Sequence, residues 1–506
     1  MPLLSRRRFL AQTAFASLAA THAFASSSDT VDVTTSLGVV RGEKLTGFNL
    51  FRGVPFAQPP VGPLRFRPPQ PALPWPGIRE ATGFAPAPSQ HKEVVPQSED
   101  CLYLNIWTPS TPGPHPVFVW IHGGGYISGQ SSDPVADGSH FARSGIVCVT
   151  VAYRLGVFGF LDWSPLLGEE YAGSANNALR DLILSLQWVQ DHIADFGGDP
   201  HAVTIGGESA GAKLADILMG IPSAAPLFQQ VVSESGGAER LWSKEQSLAV
   251  GEGWRDACKQ AFPNSAADAA QAPAAEIIRI QEHFEQNWPV HIPLRPAVDD
   301  LLIKQWPLQM IRAGNSRAKR LLLGTNLDES SLFLGPHPQH APTAHDLGNL
   351  TLQQYEPIAA HYPELYKQLN VEQQRIRAVT AEEYWVPSLR VADAHASAEG
   401  EAYVYRFDHP AASGPIAHYA FHAFELGFVW DKLPPNMTTE EIALALSMHA
   451  AWVSFIQGKT PSGPHLPPWP RYTTATRETM IFNEISRMES APHIAEYHLW
   501  DGLLEH

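Results

Sequence analysis

Between residues 146 and 220 the chain reads as an apolar run IVCVTVA (146–152), a long segment NNALRDLILSLQWVQDHIADF, a short apolar run AVTI (202–205) and the stretch AKLADILMG. In the long segment Leu179, Leu182, Ile183, Leu186, Val189 and Ile193 recur at steps of three and four, which predicts an amphipathic helix. Strand, helix, strand in that order is the pattern of a right-handed crossover in a mostly parallel sheet. Further apolar runs bounded by turn residues, 117–121 (VFVWI), 321–323 (LLL) and 403–407 (YVYRF), predict more buried strands. The fold class is therefore α/β, a mostly parallel central sheet with helices on both faces. The 506 residues would by length allow about three domains. No internal repeat divides them, and the Ala-rich piece 265–276 reads as a solvated loop with helical ends because no change of composition follows it. A single domain over 26–506 is expected. After residue 26 the Pro- and Gly-rich FRGVPFAQPPVGPLRFRPPQP predicts irregular, extended chain and turns wrapped on the surface.

The run AVTI leads straight into Gly207-Glu208-Ser209-Ala210-Gly211, a G-x-S-x-G, and AKLADILMG leads out of it as a helix. Small residues on either side of Ser209 allow a sharp strand-to-helix corner that lifts the hydroxyl above the sheet and presents backbone N–H groups beside it. A serine hydroxyl needs a base, and acyl transfer needs donors for the oxyanion. Directly after VFVWI comes His122-Gly123-Gly124-Gly125-Tyr126, whose backbone can approach a ligand closely. A phosphate loop is the competing reading of these glycines. No Gly-Lys-Ser/Thr follows, and Ser128 stands where the last glycine of a G-x-G-x-x-G would be.

Charge and cysteine usage narrow the partners. Asp and Glu number 51 against 35 Lys and Arg, a formal charge of −16, and no basic stripe survives past residue 8, so nucleic acid is excluded as a partner. The N-terminus carries Arg6, Arg7 and Arg8, an alanine-rich apolar stretch and Ala23-Phe24-Ala25, the three zones of an export signal in order, here of the twin-arginine type. Cleavage near Ala25 and a periplasmic or extracellular mature chain are expected. No other stretch is long and apolar enough for a stable membrane span. Three scattered cysteines, Cys101, Cys148 and Cys258, do not make a disulfide framework.

The stretches FRGVPFAQPPVGPLRF, EDCLYLNIWTP, WIHGGGYISG, VAYRLGVFGFL, FGGDPHAVTIGGESAGA, WVSFIQGKTPSG and WPRY resemble the type B carboxylesterase and cholinesterase family of α/β-hydrolases over nearly the whole chain. That resemblance implies the α/β-hydrolase fold, with long loop and helical insertions forming the pocket. It implies a Ser-His-Glu triad of Ser209, His422 in AFHAFELGFVW and Glu329 in LLLGTNLDESS, with oxyanion donors on the N–H groups of Gly124, Gly125 and Ala210. Asp328 receives no catalytic role, and His418 is the alternative base. Two departures stand out: Ala423 occupies a position where the family usually has glycine, and ANNALRDL replaces a glycine-rich helix start, although Asp181 still matches and is expected to pair with Arg154. The order oxyanion loop, Ser, Glu, His is the hydrolase order.

The expected reaction is two-step hydrolysis of a small-molecule carboxylic ester through an acyl-enzyme, with water as second substrate and neither cofactor nor metal. With a base near the ordinary imidazole pKa of about 6.5, activity should climb between about pH 6 and pH 8. Amide, carbamate or thioester hydrolysis would use the same machinery, and a non-catalytic adhesion relative would have lost the serine. The segment 82–98 has no Trp, only Phe84 as an aromatic, and no cysteine to pair with Cys101, so a cation–π platform for choline esters is missing. Glu208 reads as a residue filling the corner, and His337, His340 and His345 lie in a Pro-rich stretch without metal-ligand spacing. The loops 242–254 and 288–306 are expected to line the pocket.

Overall fold

The computed structural model describes residues 29–503 apart from 93–95, 263–264 and 436, so the expected signal segment lies outside the described residues. One large sheet organises them. Its strands run in the order Thr30–Thr35, Gly38–Leu45, Phe48–Pro55, Tyr103–Pro109, Val147–Val151, His115–Ile121, Gly198–Glu208, Gln230–Glu234, Arg320–Asn326, Glu401–Phe407, Glu478–Phe482 and Arg487–Ser490, with Ile78–Glu80 beside the second. From Val147–Val151 to Glu478–Phe482 every neighbour pair is parallel, and the strands flanking that block pair antiparallel.

The continuous apolar runs follow from burial on both faces. Along His115–Ile121, Val117, Val119 and Ile121 enter one core cluster while Phe118 and Trp120 enter the other. Leu321 and Leu323 are likewise split from Leu322. Helix Asn177–His192 covers the first face with Leu179, Leu182, Leu186 and Val189, as its spacing predicts. Helix Thr439–Ile456 covers the second with Leu444, Met448, Trp452 and Phe455, and Thr438 and Glu441 form its capping box. Each such side chain taken out of water contributes about 1.5–3 kcal/mol, enough to hold irregular connections in place around the sheet.

The N-terminal reading needs correction. Residues 30–55 form three antiparallel strands, and FRGVP belongs to the last of them; only the chain after Pro55 is mostly irregular. The 265–276 piece is more ordered than a loop, with a 3-10 helix Ala266–Gln271 followed by helix Ala274–Asn287. Arg154 and Asp181 form the expected ion pair, bidentate at 2.8 Å and 2.7 Å and almost wholly buried. Cys101, Cys148 and Cys258 are free and buried. Among the described residues no helix is long and apolar enough to cross a membrane.

Candidate active site

The two glycine-rich stretches meet because their strands are neighbours. Gly207 of Gly198–Glu208 lies opposite Ile121 of His115–Ile121. The chain leaves Ile121 toward Val147–Val151 and leaves Glu208 toward Gln230–Glu234, on opposite sides of this pair. Where strand order reverses in this way, a crevice opens at the carboxyl ends of the strands. Ser209 sits there at φ 55°, ψ −121°, a strained conformation for a non-glycine residue, and Ala210 starts the helix Ala210–Met219. The glycines of the motif are required by contact: a Cβ on Gly211 would lie 2.0 Å from the Ile121 carbonyl oxygen, and one on Gly207 would lie 2.5 Å from Gly211 C.

The loop after Ile121 packs onto the serine, since a Cβ at Gly123 would stand 3.2 Å from Ser209 Cβ and 2.8 Å from Glu208 Oε2. Among the described residues, no backbone acceptor is bonded to the N–H of Gly124 or Gly125. Ala210, at the first helical position, likewise has no intrahelical acceptor for its N–H. Among the described residues, three N–H groups with no backbone partner thus belong to the glycine loop and the helix start that flank Ser209.

Glu329 and His422 come together although 93 residues separate them: Nδ1 of His422 is 2.6 Å from Glu329 Oε2. Glu329 follows the strand Arg320–Asn326, and His422 lies in the loops after Glu401–Phe407, the strand beside it. Glu329 is fully buried, and its Oε1 accepts from the Asn326 N–H at 2.7 Å and from Ser235 Oγ at 2.5 Å. The other edge of the imidazole, Nε2, is 3.0 Å from Glu208 Oε1. Phe333 and Tyr384 cover the ring, with centroids at 5.2 Å and 4.7 Å. Burial pulls the His422 pKa down, but Glu208 and Glu329 overcome it and hold the imidazole up at about 10. The ordinary titration expected from sequence is therefore displaced, because a carboxylate stands at each ring nitrogen.

Two further carboxyls lie in the same charge cluster. Burial lifts Glu234 to about 8, and burial together with Glu329 and Glu208 holds Glu425 well above the usual carboxylate range. Glu234 accepts from Trp452 Nε1 at 2.8 Å, and Glu425 accepts from Asn326 Nδ2. Glu208 and Glu329 are the two acidic side chains in direct contact with His422.

His418, the alternative base, is exposed and turns its N–H to Ala411 O at 2.8 Å. Asp328 binds the neighbouring loop: its N–H donates to Ala420 O at 3.0 Å and its Oδ2 accepts from the Ala420 N–H at 3.2 Å. Ala423 adopts φ 65°, a left-handed conformation that favours glycine, which gives a physical reason for glycine there in similar chains. Sequence reasoning missed Ser235 and Asn326 as partners of Glu329, and it reduced Glu208 to a space-filling role; a carboxylate next to the serine of the G-x-S-x-G corner was the available signal. Of the two loops expected to line the pocket, 242–254 is mostly the helix Lys244–Ala261 with Trp254 fully buried, whereas 288–306 is irregular and brings Ile292 Cδ1 to 3.9 Å of where a Gly125 Cβ would stand.

Known proteins can be set beside this geometry. A sequence model described as the carboxylesterase family matches residues 29–500. The chain is 36% identical to the para-nitrobenzyl esterase of Bacillus subtilis (strain 168) over 489 residues, covering 91% of this chain and 96% of that protein. It is 30% identical to the acetylcholinesterase of Bungarus fasciatus, covering 89% of this chain and 82% of that one. The solved Geobacillus stearothermophilus carboxylesterase EST55 superposes with a TM-score of 0.82 at 34% identity, covering 93% of this chain and all of that one.

Proposed function

Because the chain belongs to the carboxylesterase family, we propose that it hydrolyses carboxylic esters by two-step acyl transfer at Ser209, with His422 as base and Glu329 as its orienting acid. The observation that carries this reading is the buried 2.6 Å hydrogen bond between Glu329 and His422, at the same sheet edge as the strained corner of Ser209. Ser209 Oγ attacks the ester carbonyl and its proton passes to His422 Nε2. The carbonyl oxygen becomes an oxyanion facing the N–H groups of Gly124, Gly125 and Ala210. Collapse expels the alcohol, which takes the proton from His422; water then repeats the sequence and releases the acid. Glu208 Oε1 lies 3.0 Å from Nε2, the imidazole nitrogen that this reading gives to Ser209. Catalysis requires His422 to be deprotonated and Nε2 to exchange its Glu208 contact for the serine hydroxyl. The segment with Arg6, Arg7 and Arg8 ahead of an alanine-rich stretch supports export of the mature chain.

Ser209→Ala tests the assignment. Turnover of p-nitrophenyl esters is expected to fall by about 10³- to 10⁶-fold with the thermal unfolding curve unchanged, and an organophosphonate should add its mass to Ser209 in the wild type only. Wild-type turnover in the variant overturns the reading.

A further inference from the structure

Behind the imidazole the helical chain changes its winding. Helix Val371–Thr380 runs into a π-helical turn, Ala381–Trp385, and then into helix Val386–Ser397. The sequence supplies a cause at Pro387, which has no N–H to give to Glu383 O and whose ring would clash with that carbonyl in an α-helix. A wider turn relieves the clash, and the Val386 N–H donates to Ala381 O, five residues back. Glu382 O and Glu383 O thereby lose the donors that an α-helix would give them. Side chains replace these donors: Asn349 Nδ2 donates to Glu382 O at 2.9 Å, and Lys213 Nζ donates to Glu383 O at 3.1 Å. The Glu382 carboxylate also accepts from the N–H groups of Gly348, Asn349 and Leu350 at 3.0, 2.7 and 2.7 Å. All five residues of the turn are buried, so the turn is built into the core and its backbone is satisfied there.

The turn delivers Tyr384 to the site. Its ring lies 4.7 Å from the imidazole of His422 at an interplanar angle of 37°, and 6.4 Å from Phe333, nearly parallel at 13°. Lys213 Nζ stands 4.8 Å from the centre of the same ring. Lys213 belongs to the helix that starts after Ser209, and its N–H donates to Ser209 O at 2.9 Å. The tyrosine ring therefore bridges the helix of the serine and the loop of the histidine. The helix before the turn grips the loop of Glu329 on both sides: Arg377 Nη1 donates to Leu327 O at 2.9 Å, and Thr380 Oγ1 accepts from the Ser330 N–H at 3.1 Å. Burial pushes the Tyr384 phenol well above its usual value, so the hydroxyl stays neutral while His422 titrates. An imidazole held through Nδ1 can still tilt about that bond. Here Nε2 has to leave Glu208 and turn to the serine hydroxyl, and a flat ring against the imidazole face restricts the tilt.

We propose that the π-helical turn Ala381–Trp385 aims the base, with Tyr384 as a positioning residue whose ring fixes the tilt of His422 toward Ser209. The inference rests on the ester-hydrolase reading of Ser209. Tyr384 acts through His422 and moves no proton, and the ring, not the hydroxyl, carries the effect.

Tyr384→Phe, Tyr384→Leu and Tyr384→Met are compared with the wild type on p-nitrophenyl butyrate. Taking kcat per Ser209 labelled to completion by phosphonate removes any unfolded fraction from the comparison. Tyr384→Phe is expected to keep kcat within about twofold, whereas Tyr384→Leu and Tyr384→Met should lower it by about 10- to 100-fold with KM within about threefold. Methionine refills much of the volume without a flat face, so it carries the test where leucine unfolds the protein. Proton NMR gives a readout that lost packing elsewhere would not move: the low-field resonance of the Nδ1 proton between His422 and Glu329 should persist in Tyr384→Phe and shift or vanish in the other two. A kcat within about twofold of wild type in Tyr384→Leu or Tyr384→Met, a loss confined to KM, an unmoved Nδ1 resonance or an equal loss in Tyr384→Phe overturns the inference and leaves the ester-hydrolase reading intact. A wild type that hydrolyses no ester and takes no phosphonate on Ser209 overturns both.

Discussion

At His422 two carboxylates compete for one imidazole, and this residue sets the pH behaviour of the site. Glu329 meets Nδ1 at 2.6 Å and Glu208 meets Nε2 at 3.0 Å, while Tyr384 and Phe333 exclude water from the ring faces. Burial pushes Glu425 and Glu234, the next carboxyls in the cluster, above the usual carboxylate range. The folded imidazole titrates near 10, above the ordinary value of about 6.5, so its ion pairing contributes stability fully below about pH 6.5 and loses it as pH rises toward 10. The base form appears along the same interval. We expect kcat/KM to be still rising at pH 8 in the wild type, and Glu208→Gln to move the midpoint of the profile toward acid by a unit or more, because one of the two raising carboxylates is gone. A pH–rate profile checks this; an unmoved midpoint would mean that Glu208 does not hold the proton on His422.

Among the elements, the strand-to-helix corner around Ser209 tolerates least change. Gly211 lies against the Ile121 carbonyl so closely that a methyl group would sit 2.0 Å from the oxygen, with backbone and no flexible side chain opposing it. Gly211→Ala should therefore force the helix Ala210–Met219 away from His115–Ile121 and cost about 1–3 kcal/mol or more. It should also displace the Ala210 N–H, so ester turnover is expected to fall by at least about tenfold even in the fraction that folds, measured by melting temperature and kcat together. Around Glu329 and His422, Asp328 joins the two loops through Ala420, and Asn326 Nδ2 donates to Phe421 O at 2.7 Å. The motif assigns Asp328 no chemistry, and in the fold the residue holds the loop that presents His422.

For the molecule as a whole, the Pro-rich segment after Pro55 is fixed by a few buried polar contacts. Arg154, paired with Asp181, also donates to Arg67 O at 2.7 Å, and Asn177 Nδ2 donates to Phe66 O at 2.8 Å. Phe66 stacks on Trp163 at 3.8 Å. Asp181→Asn leaves the Arg154 guanidinium buried and unpaired, so we expect about 3–5 kcal/mol of destabilisation, whereas the double replacement Arg154→Met, Asp181→Leu should cost less than the single change. Denaturant unfolding of the three variants decides it. The long apolar runs and the 3.6-residue periodicity of 179–193 were legible because burial on both sheet faces demands them. The strands Gln230–Glu234 and Glu478–Phe482 were not, since each is short and mixes polar with apolar residues, and the strand Phe48–Pro55 was hidden by the prolines that follow it. The sequence by itself determined the parallel α/β plan, the corner at Ser209 and, by resemblance, the pairing of Glu329 with His422, because local periodicity and motif spacing are written along the chain. Only the tertiary structure decided that Glu208 faces the imidazole, that Ala423 is left-handed and that Lys213 and Arg240 share the Glu383 carboxylate. Electrostatic neighbours act through space, and residues that far apart in sequence become neighbours only once the strands have paired.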